Sequence, residues 1–340
     1  MGIKSILKSA FVNTLNASGR LMSDIKHRAN GAALILAYHR VNSTDYIKNT
    51  LLKKPLYVSE DIFDLHLAWL TAHFKMVSLS EIINKIKKQE PWTDALCAIT
   101  FDDGWYDNYE FALPVLKKYK VPSTIFIVGN EVGLSEPNCW DICFEIIHRK
   151  EQLPRGITDI GKLDKILCLN MKNRTEKART AVNVIRTLAM EEFDAVSLRL
   201  RDFYYNEIDE VKAVNRNYRK LSWADMREMQ KESVEFGYHS LNHPILTNLS
   251  PERLCDELAL PLEKALSNGV DLKRIFSYPD GKRNKDVVQI LKKNGFDGAT
   301  SLANGFNSLR TPLFELKRFN IHSGSSGTLP HFMYNLTRNI

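Results

Sequence analysis

The feature that most constrains this chain is a short apolar run that ends in two carboxylates. The run Ala95–Ile99 contains no polar residue and leads into Thr100-Phe101-Asp102-Asp103-Gly104. An apolar stretch of this length predicts a strand covered on both faces, which is typical of parallel sheets in α/β proteins. Adjacent carboxylates raise each other's pKa unless a cation compensates them. The alternative is an Asp-Gly turn in which an Asp caps the next helix.

A second stretch carries two histidines at the end of another strand-like run. Val234–Tyr238 is followed by His239-Ser240-Leu241-Asn242-His243. A histidine pair alone is more often a surface or packing feature than a metal site. One Asp and two His, however, supply three protein ligands and leave a position open for water, as in catalytic zinc sites. Taken with Asp102 and Asp103, the pair favours a metal centre.

The rest of the chain repeats the pattern of a strand followed by a polar or turn residue. The further examples are Ala32–Tyr38 before His39, Arg274–Tyr278 before Pro279-Asp280-Gly281, and Leu316–Ile321 before His322. Strands that alternate with helices imply parallel strands joined by right-handed crossovers. In barrel folds the carboxyl ends of such strands carry the chemistry. We therefore expect these residues to meet at one face of the molecule.

These motifs resemble those of a known enzyme family. Thr100-Phe101-Asp102-Asp103-Gly104 and His239-Ser240-x-x-His243 are similar to the first two motifs of the polysaccharide deacetylases, the NodB-like carbohydrate esterases of family four. Tyr38-His39-Arg40-Val41 resembles the N-terminal signature of a branch with permuted motifs. The resemblance covers roughly residues 31–135 and 221–322. It implies an α/β fold, a distorted (β/α)₇ barrel of the NodB/polysaccharide deacetylase type.

The resemblance also implies roles for individual side chains. Asp103, His239 and His243 would bind one divalent metal ion, with Zn²⁺ expected and Co²⁺ or Ni²⁺ able to replace it in vitro. Asp102 would be the catalytic base. The general acid is either His39 or His322. We favour His39, because a rigid strand end fixes an imidazole better than the Ser/Gly-rich stretch after His322.

The third motif departs from the family pattern. Many members carry Arg-Pro-Pro-Tyr-Gly, whereas this chain has Ser277-Tyr278-Pro279-Asp280-Gly281. The backbone N–H at Asp280 still suits the role of oxyanion donor. The Arg that orients the base is missing, and Arg283 and Arg318 are the candidates to replace it.

Three further residues are candidates for the substrate surface. Trp105 and Tyr238 would offer rings on which a sugar stacks, with core packing as the alternative for each. Pro279 belongs to the third motif and would lie beside them.

Outside the motifs, the chain has two basic segments. Residues 1–30 and 150–220 each carry a net charge of +4, out of +7 for all 340 residues. We expect residues 1–30 to form one amphipathic helix, which either covers the core or lies on a membrane interface. Residues 31–340 would form the barrel, interrupted at about 136–220 by a helical insertion that is a lid, a recognition element or a packing elaboration.

The composition is that of an ordinary globular protein, with 44% hydrophobic and 26% charged residues. A near-neutral core without a basic stripe argues against nucleic-acid binding. The sequence lacks a run of about 18 apolar residues and a signal-peptide pattern, and its five cysteines are odd in number and irregularly spaced. We therefore expect a cytoplasmic protein, which contacts the inner face of the membrane if residues 1–30 lie on a membrane interface.

Together these features predict a metal-dependent hydrolase. It would remove N-acetyl or N-formyl groups from sugars of a bacterial envelope polysaccharide or its lipid-linked precursor. One alternative is an O-acetyl esterase acting on a polysaccharide. Another is a catalytically silent barrel that binds glycans, which the intact Asp and His set disfavours and the missing Arg leaves open.

Overall fold

The computed structural model describes residues 3–49, 56–149, 160–168, 173–185, 188, 190–207, 218–259 and 261–338. Its strands are β1 (Ala33–Tyr38), β2 (Arg40–Asn42), β3 (Tyr57–Ser59), β4 (Lys75–Met76), β5 (Leu96–Phe101), β6 (Ser123–Ile127), β7 (Val234–Tyr238), β8 (Leu272–Ser277), β9 (Gly298–Thr300) and β10 (Phe319–Asn320).

Eight of these strands form one curled parallel sheet. Their order is β10-β1-β5-β6-β7-β8-β9, with β4 paired beside β5, while β2 and β3 form a separate pair. Thr300 at the end of β9 bridges to Leu316, which lies just before β10. The two ends of the sheet therefore approach each other, and the expected (β/α)₇ barrel type is confirmed.

Helices surround the sheet. They are α1 (Ile3–Ala17), α2 (Arg20–Ala29), α3 (Thr44–Asn49), α4 (Glu60–His73), α5 (Leu79–Lys87), α6 (Leu113–Tyr119), α7 (Cys139–Arg149), α8 (Gly161–Cys168), α9 (Arg174–Ile185), α10 (Met190–Glu207), α11 (Trp223–Gln230), α12 (Pro251–Glu257), α13 (Leu262–Ser267), α14 (Lys285–Lys293), α15 (Ser323–Ser326) and α16 (Leu329–Thr337). None of these described helices has the length and hydropathy needed to cross a bilayer.

Alternate residues of each strand face opposite sides of the sheet, which explains why the buried side chains of one strand belong to two separate clusters. In β1, Leu34 and Leu36 belong to the large cluster beneath the helices, whereas Ala33 and Ile35 belong to the cluster inside the barrel. Because side chains alternate along a strand, His39 continues the row that faces the barrel interior.

The N-terminal segment is divided into two helices where we expected one. The chain turns at Gly19, which has a φ of 72° between α1 and α2. Glycine adopts this left-handed conformation without a Cβ penalty, and it ends the first helix there. Leu21 and Ile25 of α2 are buried, so α2 packs on the core.

The helix that follows the Asp102-Asp103 motif starts as a π-helical turn, Asn108–Ala112, and continues as α6 with Pro114 in its first turn, where a missing N–H is tolerated. One strand differs from expectation. The last strand, expected over residues 316–321, is only β10, because Leu316 pairs with β9 instead.

The segment at about 136–220 contributes helices α7 to α10. Their buried side chains form an apolar cluster of their own, separate from those of the barrel. Part of this segment lies outside the described residues, and the domain boundaries given above stay a prediction.

Candidate active site

Strand register brings the motif residues to one edge of the sheet. Phe101 of β5 pairs with Tyr38 of β1, and Tyr238 of β7 pairs with Ile127 of β6 and Phe276 of β8. The residues that follow these paired positions are His39, Asp102, Val128, His239 and Ser277. The motifs that are far apart in sequence therefore converge at the carboxyl end of the barrel.

Asp103, His239 and His243 form the centre of this edge. Asp103 Oδ1 lies 3.5 Å from His239 Nε2 and 3.4 Å from His243 Nε2. One ligand atom from each residue lies within 4.8 Å of the other two. A single cation can therefore contact all three residues, and a carboxylate oxygen with two imidazole nitrogens is a donor set that suits Zn²⁺.

The protonation of these side chains supports a metal rather than an ion pair. His239 Nδ1 lies 2.7 Å from the Ser277 carbonyl oxygen, so Nδ1 donates a hydrogen bond and the Nε2 lone pair faces Asp103. Burial lowers the pKa of His239 to about 4, which keeps the ring neutral at pH 7. Asp103 Oδ1 is buried and has no hydrogen-bond partner among the described residues. A lone pair aimed at an unpartnered carboxylate is costly without a cation.

The loop after β7 turns His243 back toward Asp103. Ser240 and His243 have φ angles of 67° and 59°, and the Ser240 hydroxyl accepts a hydrogen bond from the His243 backbone N–H. The buried carboxylate of Glu257 accepts hydrogen bonds from the backbone N–H groups of Leu241 and Asn242. This loop holds a left-handed backbone that non-glycine residues rarely adopt, as often occurs at functional sites.

Asp102 is paired with a buried guanidinium. Arg318 Nη1 and Nη2 donate to the two carboxylate oxygens of Asp102 at 2.8 Å each, and the Ser277 hydroxyl donates to Oδ1 at 3.3 Å. Burial alone would raise the pKa of Asp102, but Arg318 and the nearby histidines lower it to about 2. Arg283 pairs with Glu315 instead. Of the two candidates, Arg318 is therefore the one that contacts Asp102.

The two candidate acids lie on neighbouring strand ends. Ala37 of β1 pairs with Asn320 of β10. His39 lies two residues after Ala37, and His322 lies two residues after Asn320. His39 lines the cavity that contains Asp102 and Asp103. His322 instead precedes α15, and its buried Nδ1 has no hydrogen-bond partner in the described part of the chain. Burial, and then the neighbouring His39, lower the pKa of His322.

Asp103, His239 and His243 border a cavity that is open to solvent. Its lining residues are His39, Leu56, Asp102, Asp103, Trp105, Val128, Glu131, Asn138, Trp140, Asp141, Lys220, His239, His243, Asp280 and Leu302. Asn138, Trp140 and Asp141 lie at the start of α7, so the inserted helices form one wall of the cavity.

The two rings that we expected at the substrate surface, those of Trp105 and Tyr238, are both buried. Trp105 lines the cavity but is only 3% exposed, and its Nε1 donates a hydrogen bond to Asp103 Oδ2 at 3.1 Å. Lys220 Nζ lies 3.3 Å from the Trp105 ring centroid and the Arg40 guanidinium lies 4.1 Å from it. The ring therefore positions Asp103, and packed cations cover much of its surface.

Tyr238 packs in the core and does not line the cavity. It is fully buried against Phe276 and Phe296, because it precedes His239 in the strand and points to the opposite side of the sheet. Asp280 lines the cavity with a φ of 54°, and the preceding Pro279 is buried.

Lys220 is a site residue that the sequence did not reveal. Its Nζ donates to the Asp103 carbonyl oxygen at 3.0 Å and pairs with Glu131 at 2.8 Å, while its backbone bridges to Trp105. It is 3% exposed. Nothing in its local sequence indicates this role, because all its partners are distant in the chain. Trp140 was missed for the same reason, since its helix has only an ordinary amphipathic pattern.

The chain matches the family model described as polysaccharide deacetylase over residues 90–152 and 200–299. YxkH of Bacillus subtilis (strain 168) is 21% identical over 296 residues, which are 86% of this chain and 73% of that protein. A poly-β-1,6-N-acetyl-D-glucosamine N-deacetylase of Staphylococcus aureus (strain MSSA476) is 33% identical over 149 residues, which are 40% of this chain. This chain spans 48% of the length of that relative.

Solved structures share the fold. The deacetylase PplD of Streptococcus pyogenes, solved in complex with acetate, matches with a TM-score of 0.56 and 18% identity, covering 91% of this chain and 100% of that one. IcaB from Ammonifex degensii matches with a TM-score of 0.53 and 18% identity, covering 89% and 97%. The family match and the motif residues gathered at one strand edge identify a polysaccharide deacetylase domain in this chain, and the solved deacetylases share its fold.

Proposed function

We propose that this chain is a metal-dependent N-deacetylase that acts on an N-acetylated glycan of the bacterial envelope or on its lipid-linked precursor. The observation that carries the proposal is the joint placement of Asp103 Oδ1 against two histidine Nε2 atoms and of Asp102 in the same cavity. Metal ligands beside an ionised carboxylate supply the two functions that amide hydrolysis by water requires.

Asp103, His239 and His243 would hold the divalent ion, for which Zn²⁺ suits the donor set best. Such an ion, when bound, polarises an acetyl carbonyl and makes water more acidic. Asp102 is the base that takes the proton of the attacking water. Arg318 keeps that carboxylate ionised and fixes its plane, since both of its oxygens accept hydrogen bonds from the guanidinium.

The acid that protonates the leaving amine is His39. It lines the same cavity as Asp102, whereas His322 is not among the residues that border the cavity. Asp280 also lines the cavity, and its backbone N–H is the group proposed to stabilise the developing oxyanion.

The substrate proposed first is a β-1,6-linked N-acetylglucosamine chain. The name of the Staphylococcus relative supports this choice. The cavity beside Asp103 is open to solvent, so a sugar chain can approach that side chain from outside. Trp140 on the wall formed by α7 offers a partly exposed ring for stacking on that sugar.

The test is acetate release from a panel of substrates by protein that has been stripped of metal and reloaded with Zn²⁺. The panel contains β-1,6- and β-1,4-linked N-acetylglucosamine oligomers, an O-acetylated glycan, an N-formylated analogue assayed for formate, and a lipid-linked N-acetyl sugar. We expect release from an N-acetylated member and none by the Asp102→Asn control. Release only from the O-acetylated glycan would make the protein an esterase, and binding without release would make it a silent glycan-binding barrel.

A further inference from the structure

Helix α1 presents large apolar side chains to solvent. Ile6, Leu7 and Phe11 are 56%, 64% and 55% exposed. Leu7 and Phe11 are four residues apart and share one face of the helix, which Ile6 borders. A contiguous apolar stripe of this kind marks an interaction surface, whereas single exposed apolar residues are ordinary. We call Ile6, Leu7 and Phe11 the α1 stripe.

The rest of the molecule holds the α1 stripe in place. Val12, on the opposite face of α1, is fully buried in the main core. The Phe11 ring meets the edge of Tyr334 on α16 at a centroid distance of 6.3 Å. Ser9 Oγ lies 3.4 Å from His331 Nε2. These contacts hold α1 on the core while Ile6, Leu7 and more than half of Phe11 stay open to solvent.

The charges around the α1 stripe have one sign. Helix α1 contains Lys4 and Lys8 and no Asp or Glu, and α16 contains no charged residue other than histidine. Lys8 is exposed, and Arg338, just after α16, lies with its guanidinium 5.7 Å from the Tyr334 ring centroid. Asp24 is the single carboxylate within residues 1–30. The stripe is thus bordered by cations on a segment of net positive charge.

We propose that the α1 stripe docks the protein on an anionic lipid bilayer. An apolar helix face beside Lys8, on a helix without a carboxylate, fits the boundary between acyl chains and anionic headgroups. A second copy of the chain fits less well. In a two-fold dimer the same patch faces itself, which would place Lys8 beside its own copy with no carboxylate on α1 or α16 to offset it. This proposal is independent of the catalytic one.

Vesicle flotation of the full chain tests the proposal. The vesicles are phosphatidylcholine with or without phosphatidylglycerol, in about 0.1 M and about 1 M salt, where screening lengths are about 10 and 3 Å. We expect binding only to the anionic vesicles and much less of it at high salt. The double variant Leu7→Glu/Phe11→Glu should lower the bound fraction at least about tenfold, because it places two carboxylates in the apolar boundary.

The matched control is Leu266→Glu, which changes an equally exposed leucine, 64%, on α13. It should bind as the wild type does. If the double variant does not fold, Lys8→Glu replaces it. This variant reverses one charge beside the stripe and should also lower the fraction bound to anionic vesicles. Equal binding by the wild type and the stripe variants, or none by the wild type, overturns the proposal. Dimerisation of the wild type that the stripe variants abolish, without vesicle binding, assigns the stripe to a second copy and also overturns it.

Discussion

Asp102 and Asp103 are adjacent in sequence but meet different partners. Asp102 lies against the Arg318 guanidinium, whereas Asp103 Oδ1 faces the Nε2 atoms of His239 and His243. Burial would raise the pKa of each carboxyl group, and the neighbouring positive charge lowers both. Opposite charges within a few ångströms have this effect. Each aspartate is therefore held ionised. Asp102 is in the state that the proposed base requires, and Asp103 is in the state that the proposed metal ligand requires.

The pairing of Arg318 with Asp102 can be tested by unfolding. Arg318→Met leaves a buried carboxylate without its partner, which should cost about 3–5 kcal/mol of unfolding free energy. Arg283→Met is the control, because the Arg283–Glu315 pair is partly exposed and should contribute about 0–1 kcal/mol. Urea titration of the three proteins measures both differences. Equal effects of the two substitutions would show that Arg318 is not the partner that Asp102 depends on.

The general acid is decided by comparing His39→Ala with His322→Ala. We expect His39→Ala to lose about 10²- to 10⁴-fold in kcat/KM, together with the alkaline limb of the pH–rate profile, while its bound metal is unchanged. His322→Ala should lose less, since His322 is not among the residues lining the cavity. The pH–rate profiles and the metal content of both variants are the measurements. A fully active His39→Ala would transfer the role to His322.

The loop between β7 and α12 depends on one helix for its shape. Glu257, at the end of α12, accepts hydrogen bonds from two backbone N–H groups and from the Asn242 side chain. It is 5% exposed. Its contacts hold the turn that returns His243 to Asp103, so the metal site relies on a residue that touches no metal ligand.

Removing that carboxylate should weaken metal binding. Glu257→Ala is expected to lower zinc affinity by about 10- to 100-fold, the range seen when residues that orient ligands are lost. Glu252→Ala, an exposed position on the same helix, should leave the affinity unchanged. Competition titration with a zinc chelator gives both affinities, and circular dichroism checks that both variants fold. Equal affinities in the two variants would contradict the role of Glu257.

A second buried contact joins α4 to the end of the chain. His66 Nε2 donates to the Ser326 carbonyl oxygen at 2.9 Å, and its Nδ1 accepts from the Tyr38 hydroxyl at 3.1 Å. The ring stacks on Phe332 with centroids 4.0 Å apart. Burial lowers the pKa of His66 to about 4, below its ordinary value of 6.5.

This shift predicts acid sensitivity. Between pH 6.5 and about 4 the unfolded chain binds a proton at His66 that the folded chain does not. The free energy of unfolding therefore falls as pH falls through that window, by at most about 1.4 kcal/mol per pH unit from this group. His239 contributes in the same direction. Urea unfolding from pH 7 to 4.5 should show a smaller slope for His66→Gln than for the wild type, and identical slopes would refute the assignment.

The whole chain is organised so that its two ends complete one site. The first and last strands pair, and Arg318 lies 216 positions from the Asp102 that it holds. The inserted helices add a wall to the cavity through Trp140 and Asp141. The pairing of the last strand with the first is therefore what brings Arg318 to Asp102.

This organisation explains what could be read from the sequence. The convergence of Asp103, His239 and His243 could be predicted because each motif is continuous in the sequence. In addition, the carboxyl ends of parallel strands lie at the same edge of a sheet. Arg318 could be offered only as one of two candidates, since its pairing depends on sheet closure. Tyr238 was expected at the site, but side-chain alternation sends it to the other side of the sheet. Trp140 lies in an insertion whose docking no local pattern specifies.

The central claim is that Asp103, His239 and His243 hold one divalent ion beside Asp102. The most direct test is the zinc bound per chain after stripped protein is reloaded, measured for the wild type, Asp102→Asn and His243→Ala. We predict one zinc per chain in the wild type and in Asp102→Asn, and a clear loss in His243→Ala, because a site of three protein ligands loses one of them. Equal zinc in the wild type and His243→Ala would contradict the claim.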